Sequence, residues 1–143
     1  MNKKVLAAFV LIAGTIIIYS STQAFAQAEA DPMQNHGVGP IKKVELAAVD
    51  SALALKGKEV FTAKCSACHK VGERYVGPDL AGVTKRRSPE WIMNMILNPQ
   101  EMTQKDPIAQ ELFGEFLIQM TFQNVSEADA RAMLEYFREH DAK

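Results

Sequence analysis

The order of apolar and polar positions predicts a chain of helices and no strand. Residues 27–49 carry Pro32, Gly37, Gly39 and Pro40 and read as a flexible leader. Asp50-Ser51 then supplies a helix N-cap, and a helix runs from there toward Cys65. Gly57 sits inside that helix, where glycine costs about 1 kcal/mol against alanine. A second helix crossing closely over Gly57, with Phe61 one turn on filling the contact, would explain it. Val71 to Leu80 contains Gly72, Gly77 and Pro78 and reads as a loop.

Ser88-Pro89-Glu90 opens the next helix, with Ser as N-cap and Pro at the first helical position. Trp91, Ile92, Met93, Met95, Ile96 and Leu97 make it apolar on nearly every side, and it stops before Asn98-Pro99. Asp106-Pro107 begins another, with Ile108, Leu112, Phe113, Phe116 and Leu117 at helical spacing. Ser126-x-x-Asp129 resembles a capping box. Behind it Ala130, Met133, Leu134 and Phe137 fall at i, i+3, i+4 and i+7. No stretch alternates as a strand does, so the expected fold class is all-α, with the folded domain over 50–143.

The start of the chain changes the picture of where this domain works. Lys3-Lys4, an uncharged and mostly apolar run from Val5 to Tyr19, and Ala24-Phe25-Ala26 form the three parts of a secretory signal peptide over 1–26. An uncleaved anchor is the competing reading, but the run is short against the roughly 20 residues of a spanning helix. Either way the domain is expected outside the cytoplasm. Loss of Lys3 and Lys4 takes the formal charge from −1 to −3. Residues 27–100 hold ten Lys/Arg against eight Asp/Glu, and residues 101–143 hold four against nine. Such a chain lacks the basic surface that nucleic acid requires. The uneven spread permits an oriented docking face.

The candidate chemistry sits in Cys65-Ser66-Ala67-Cys68-His69. Cys-x-x-Cys-His is the pattern of covalent c-type haem attachment. Two thiols one helical turn apart can each add to one vinyl group of a haem edge, and the following histidine lies under the ring as proximal iron ligand. A zinc site would need about four ligands, yet the next histidine after His69 is His140 and there is no third cysteine. A thioredoxin-like site would need a βαβ setting, and a Cys65–Cys68 disulfide closes too small a loop to stabilise much. One haem, held by Cys65 and Cys68 with His69 on the iron, is therefore expected.

The sixth ligand decides between electron transfer and small-molecule chemistry. Of seven methionines, Met1 lies in the signal and Met33 in the leader, while Met93, Met95 and Met133 fall on helices where core packing explains them. Met120, in the loop before Ser126, is the expected ligand, and Met102 is its rival. His36 is a lone loop histidine without that role.

From Gly57 to about Arg138 the chain resembles class I cytochromes c, especially the small bacterial monohaem type. Gly57-x-x-x-Phe61-x-x-x-Cys65-x-x-Cys68-His69 is similar to the family's first helix and haem site, and Gly77-Pro78-Asp79-Leu80 to its Gly-Pro-x-Leu segment. The resemblance implies the cytochrome c fold, with several helices around one covalently bound haem. It implies that the Pro78 carbonyl accepts a hydrogen bond from the free ring nitrogen of His69. It places Leu80 in the haem site, Met120 on the iron, and Met133 and Tyr136 across Gly57 and Phe61. One departure stands out: the family usually has Pro after the ligand methionine, and this chain has Thr121. The implied function is a periplasmic carrier of single electrons, not an enzyme, serving a respiratory reductase or oxidase. Its partners would be redox proteins, and it would touch a membrane only through a retained N-terminal segment. A haem subunit of a terminal reductase complex is the alternative, and an open-site haem enzyme or sensor a more distant one.

Overall fold

Six helices and no strand make up the computed structural model over residues 31–143, the part of the chain that the structure describes. They are α1 (Ser51–Lys64), α2 (Val83–Arg86), α3 (Pro89–Leu97), α4 (Pro99–Lys105), α5 (Pro107–Phe116) and α6 (Glu127–Asp141). The expected signal peptide over 1–26 lies outside the described residues.

Local chemistry places most of the boundaries. Asp50 caps α1 by accepting from the Ala52 and Leu53 amides, and Ser88 caps α3 by accepting from the Trp91 amide. Asp106 caps α5 through Ala109, and Ser126 with Asp129 forms the full capping box of α6. The Asn98-Pro99 step ends α3 as expected, but it also opens α4, which the sequence reading left without a helix. Pro is tolerated there because the first amide of a helix has no partner to lose. The Asn98 side chain does not cap α4. It donates to the Val38 carbonyl at 3.2 Å and to Glu101 Oε2 at 2.7 Å.

The α1–α6 crossing carries the core. A Cβ on Gly57 would lie 2.0 Å from the Ala132 carbonyl oxygen and 2.8 Å from the Met133 nitrogen, so the two backbones meet there with no room for a side chain. One turn on, the Phe61 ring lies 5.6 Å from Tyr136 and 5.8 Å from Phe137, the latter edge to face. The expected crossing is present, with Ala132 and Phe137 added to the partners foreseen. At its far end α6 holds α2: the Asp141 carboxylate accepts from the Gly82 amide at 2.6 Å and from the Thr84 amide and hydroxyl at 3.0 and 2.7 Å. Burial alone would raise the Asp141 pKa, but these donors outweigh it and hold it below the usual carboxylate range.

Residues 31–49 correct the expectation of a flexible leader. They form no helix, yet they are strapped across α3. Asn94, fully buried, accepts from the Ile41 amide and donates to the carbonyls of Ile41 and His36, each at 2.9 Å. Glu90 accepts from the Val44 amide at 2.7 Å, and Asp106 accepts from Asn35 at 2.6 Å. Side chains thus satisfy backbone groups that a helix or sheet would otherwise pair. Ile41 is buried in the core as a result.

The crossing yields a direct test. Gly57→Val forces α1 and α6 apart against rigid backbone, where overpacking typically costs about 1–3 kcal/mol. The melting temperature of the variant should fall by several degrees, whereas an unchanged value would mean the helices are not in contact at residue 57.

Candidate haem site

The chain leaves α1 in a way that puts the three motif side chains on one wall of a cavity. The Cys68 and His69 amides both bond back to the Cys65 carbonyl, at 3.1 and 2.9 Å, so a tight turn continues directly from the helix. Cys65 is half-buried beside Met133, with the two sulfurs 3.8 Å apart, and Cys68 is exposed. The two are not joined by a disulfide. Burial pushes the Cys65 thiol pKa up, against the opposing charge of Lys64.

His69 is set by the loop that follows. Gly77 donates its amide to the Cys68 carbonyl at 2.9 Å and packs so close that a Cβ on it would lie 2.5 Å from His69 Cε1. The next residue presents its carbonyl: His69 Nδ1 lies 3.5 Å from Pro78 O. Burial lowers the His69 pKa while that carbonyl opposes the change, which favours the neutral ring that binds metal ions. Leu80 packs against the core from the same loop, its amide bonded to the Lys70 carbonyl at 3.1 Å.

These residues line a cavity of about 330 Å³ that is mostly apolar. Cys65, Cys68, His69, Pro78 and Leu80 all border it, and so does Met120, from a separate segment much further along the chain. The rival Met102 does not. It is fully buried in the core, and its sulfur faces the Val38 amide at 2.9 Å. Neither His36 nor His140 borders the cavity; His36 lends its carbonyl to Asn94, and His140 lies 3.4 Å from Asp141. Among the described residues no three His, Cys, Asp or Glu side chains converge as a metal-holding group, so the zinc reading finds no ligand set among them. A mostly apolar space bordered by two cysteine side chains, an imidazole and a thioether has the donor set that a covalently held haem requires.

The cavity also has residues that the sequence reading did not single out. Arg86 and Arg87 border it, with Arg87 half-buried and its guanidinium 5.5 Å from the Trp91 ring. Burial first, and then the charge of Arg86, lower the Arg87 pKa. The basic run Lys85-Arg86-Arg87 directly before the N-cap Ser88 was the available signal. Thr103 and Gln119 border the cavity as well, and nothing local in the sequence marks them.

Fold and site together are those of a small haem protein. The chain belongs to the cytochrome c family: the sequence model of the family described as Cytochrome c matches residues 54–141. The cytochrome c-553-like protein of Synechocystis is 38% identical over 72 residues, spanning 45% of this chain and 69% of that protein. A cytochrome c from Rhodothermus marinus superposes with a TM-score of 0.71 at 46% identity, over 73% of this chain and 90% of that one. The cytochrome c domain of a Pseudomonas putida protein gives 0.56 at 33% identity, over 61% and 89%. Members of the family bind one covalent haem c and transfer electrons with it.

Gly77 tests the seating of His69. Gly77→Ala places a methyl group against the ring, which must shift or rotate. The haem-loaded variant should show a changed reduction potential with its haem still covalently held. An unchanged potential and spectrum would mean that the loop does not position the imidazole.

Proposed function

We propose that this cytochrome c carries single electrons outside the cytoplasm, to or from a respiratory reductase or oxidase. Cys65 and Cys68 would hold the haem through thioether bonds, and His69 and Met120 would ligate its iron. The observation that carries this reading is the shared cavity: four residues from two separate segments border one apolar space, and Met102 lies elsewhere. Haem supplies the one-electron couple when bound. The chain's own part is to exclude water with apolar walls, to fix the imidazole between Gly77 and Pro78, and to bring a soft thioether from the Met120 loop. A thioether favours the reduced iron, which raises the potential.

Delivery across the inner membrane rests on the N-terminal pattern of Lys3-Lys4, apolar run and Ala24-Phe25-Ala26. Among the described residues no helix is long and apolar enough to cross a membrane. The partners are redox proteins, and the uneven charge gives the domain an electrostatic orientation toward them. An open-site enzyme would want a distal acid or base; Asp79, the one carboxylate that borders the cavity among the described residues, is instead engaged by the Gly72 and Ala81 amides.

Replacing Met120 tests the ligand set. Met120→Ala should open the sixth position, lower the potential, abolish the weak far-red band of ferric methionine ligation and let the ferrous protein bind carbon monoxide readily. Met102→Ala should leave the band in place. Rapid carbon monoxide binding by the unmodified protein would overturn the carrier reading. Loss of the band in Met102→Ala alone would move the ligand to residue 102.

A further inference from the structure

The loop that presents Met120 is held in an unusual manner. From Ile118 to Val125 no backbone group bonds to another backbone group among the described residues, so neither helix nor turn fixes the segment. Its two ends turn through left-handed residues, Leu117 at φ 55° and Asn124 at φ 53°. Directly after Met120, Thr121 leaves φ free as a proline would not. Two side chains from other elements reach the loop instead. On one side, Thr103 of α4 donates its hydroxyl to Gln119 Oε1 at 3.0 Å, and Gln119 Nε2 donates to the carbonyl of Met120 itself at 2.9 Å. On the other, Lys64 at the end of α1 donates to the carbonyls of Gln123 and Asn124 at 3.2 and 3.4 Å. Between them, Gln123 Nε2 ties back to Thr121 at its carbonyl and hydroxyl, at 3.1 and 3.0 Å. Lys64, Thr103, Gln119 and Gln123 all border the cavity that Met120 borders.

We infer that Gln119 and Lys64 are positioning residues that clamp the Met120 loop from its two sides and hold the thioether toward the iron. The inference rests on the reading of Met120 as ligand. It assigns the clamp a local effect: the segment 118–125 has no backbone bonding of its own to fall back on. Lys64 also joins the two halves of the site, because it stands next to Cys65. A shift of the haem-bearing end of α1 therefore acts directly on the methionine loop. Thr103 is the poorer residue to test, since its hydroxyl also reaches the Pro99 and Gln100 carbonyls of its own helix.

The experiment uses the haem-loaded protein with Gln119→Glu, Lys64→Met and both together. Gln119→Glu keeps the acceptor for Thr103 and removes the donor to Met120. Lys64→Met keeps the stem and removes the ammonium. Both side chains are exposed, so folding should survive. Each variant should bind carbon monoxide in the ferrous state roughly 2- to 10-fold faster, the change one ordinary hydrogen bond corresponds to. The far-red ferric band should be lost at a lower temperature than in the unmodified protein, while helix melting by circular dichroism stays put. Lys64→Arg, which restores donors, should return both readouts toward the starting values. If Met120→Ala abolishes the band but these variants match the unmodified protein, the clamp is wrong and the ligand stands. A band that falls only in step with helix melting also overturns the clamp. If Met120→Ala leaves the band intact, the ligand reading itself has failed.

Discussion

The contact between Gly57 and the Ala132 carbonyl is the constraint from which the haem site takes its position. With no Cβ at residue 57, α1 and α6 approach to backbone contact, and Phe61 closes the crossing against Tyr136 and Phe137. The last turn of α1 runs straight into Cys65, so the crossing sets where the two thiols and His69 lie. The same α6 carries Met133 to the Cys65 sulfur and Asp141 to α2. One helix pair thus anchors the motif and, through α2, the end of the loop that seats the imidazole.

The packing of the strap, away from the cavity lining, is built differently. It depends on buried polar side chains more than on helix packing. Asn94 and Glu90 hold the strap over α3, and Asp106 joins that strap to Trp91 and to the cap of α5. Each of these groups is buried and hydrogen-bonded, which is the condition under which burial of polar atoms does not destabilise. The Met120 loop continues the theme at the surface, tethered by Thr103, Gln119 and Lys64. The motif thus rides on a helix crossing, whereas the Met120 loop is held by discrete side-chain hydrogen bonds.

What the sequence disclosed, and what it withheld, follows from the range of the interactions. Ser88-Pro89 and Ser126-x-x-Asp129 were legible because cap and helix lie within three residues of each other. Cys65, Cys68 and His69 were legible because attachment chemistry needs them within five residues. Met120 emerged by elimination; it borders the cavity, whereas Met102 is fully buried in the core. The strap over 31–49 reads as flexible in the sequence because its partners lie 46 to 91 residues away. Asn98-Pro99 was read only as a stop, since proline after a helix and proline opening one look alike in one dimension. Thr103 and Gln119 carry no local signature, and only the folded chain brings them together.

Covalent attachment at Cys65 and Cys68 is the claim on which every reading of the cavity rests. The most direct test is the intact mass of the purified protein under denaturing conditions, with the double variant Cys65→Ala, Cys68→Ala beside it. The unmodified protein should carry the polypeptide mass plus one haem, and the haem absorbance should stay with the chain through a denaturing gel. The double variant should carry the polypeptide mass alone. An unmodified protein that shows no haem adduct, or that is purified with zinc in place of iron, would contradict the account.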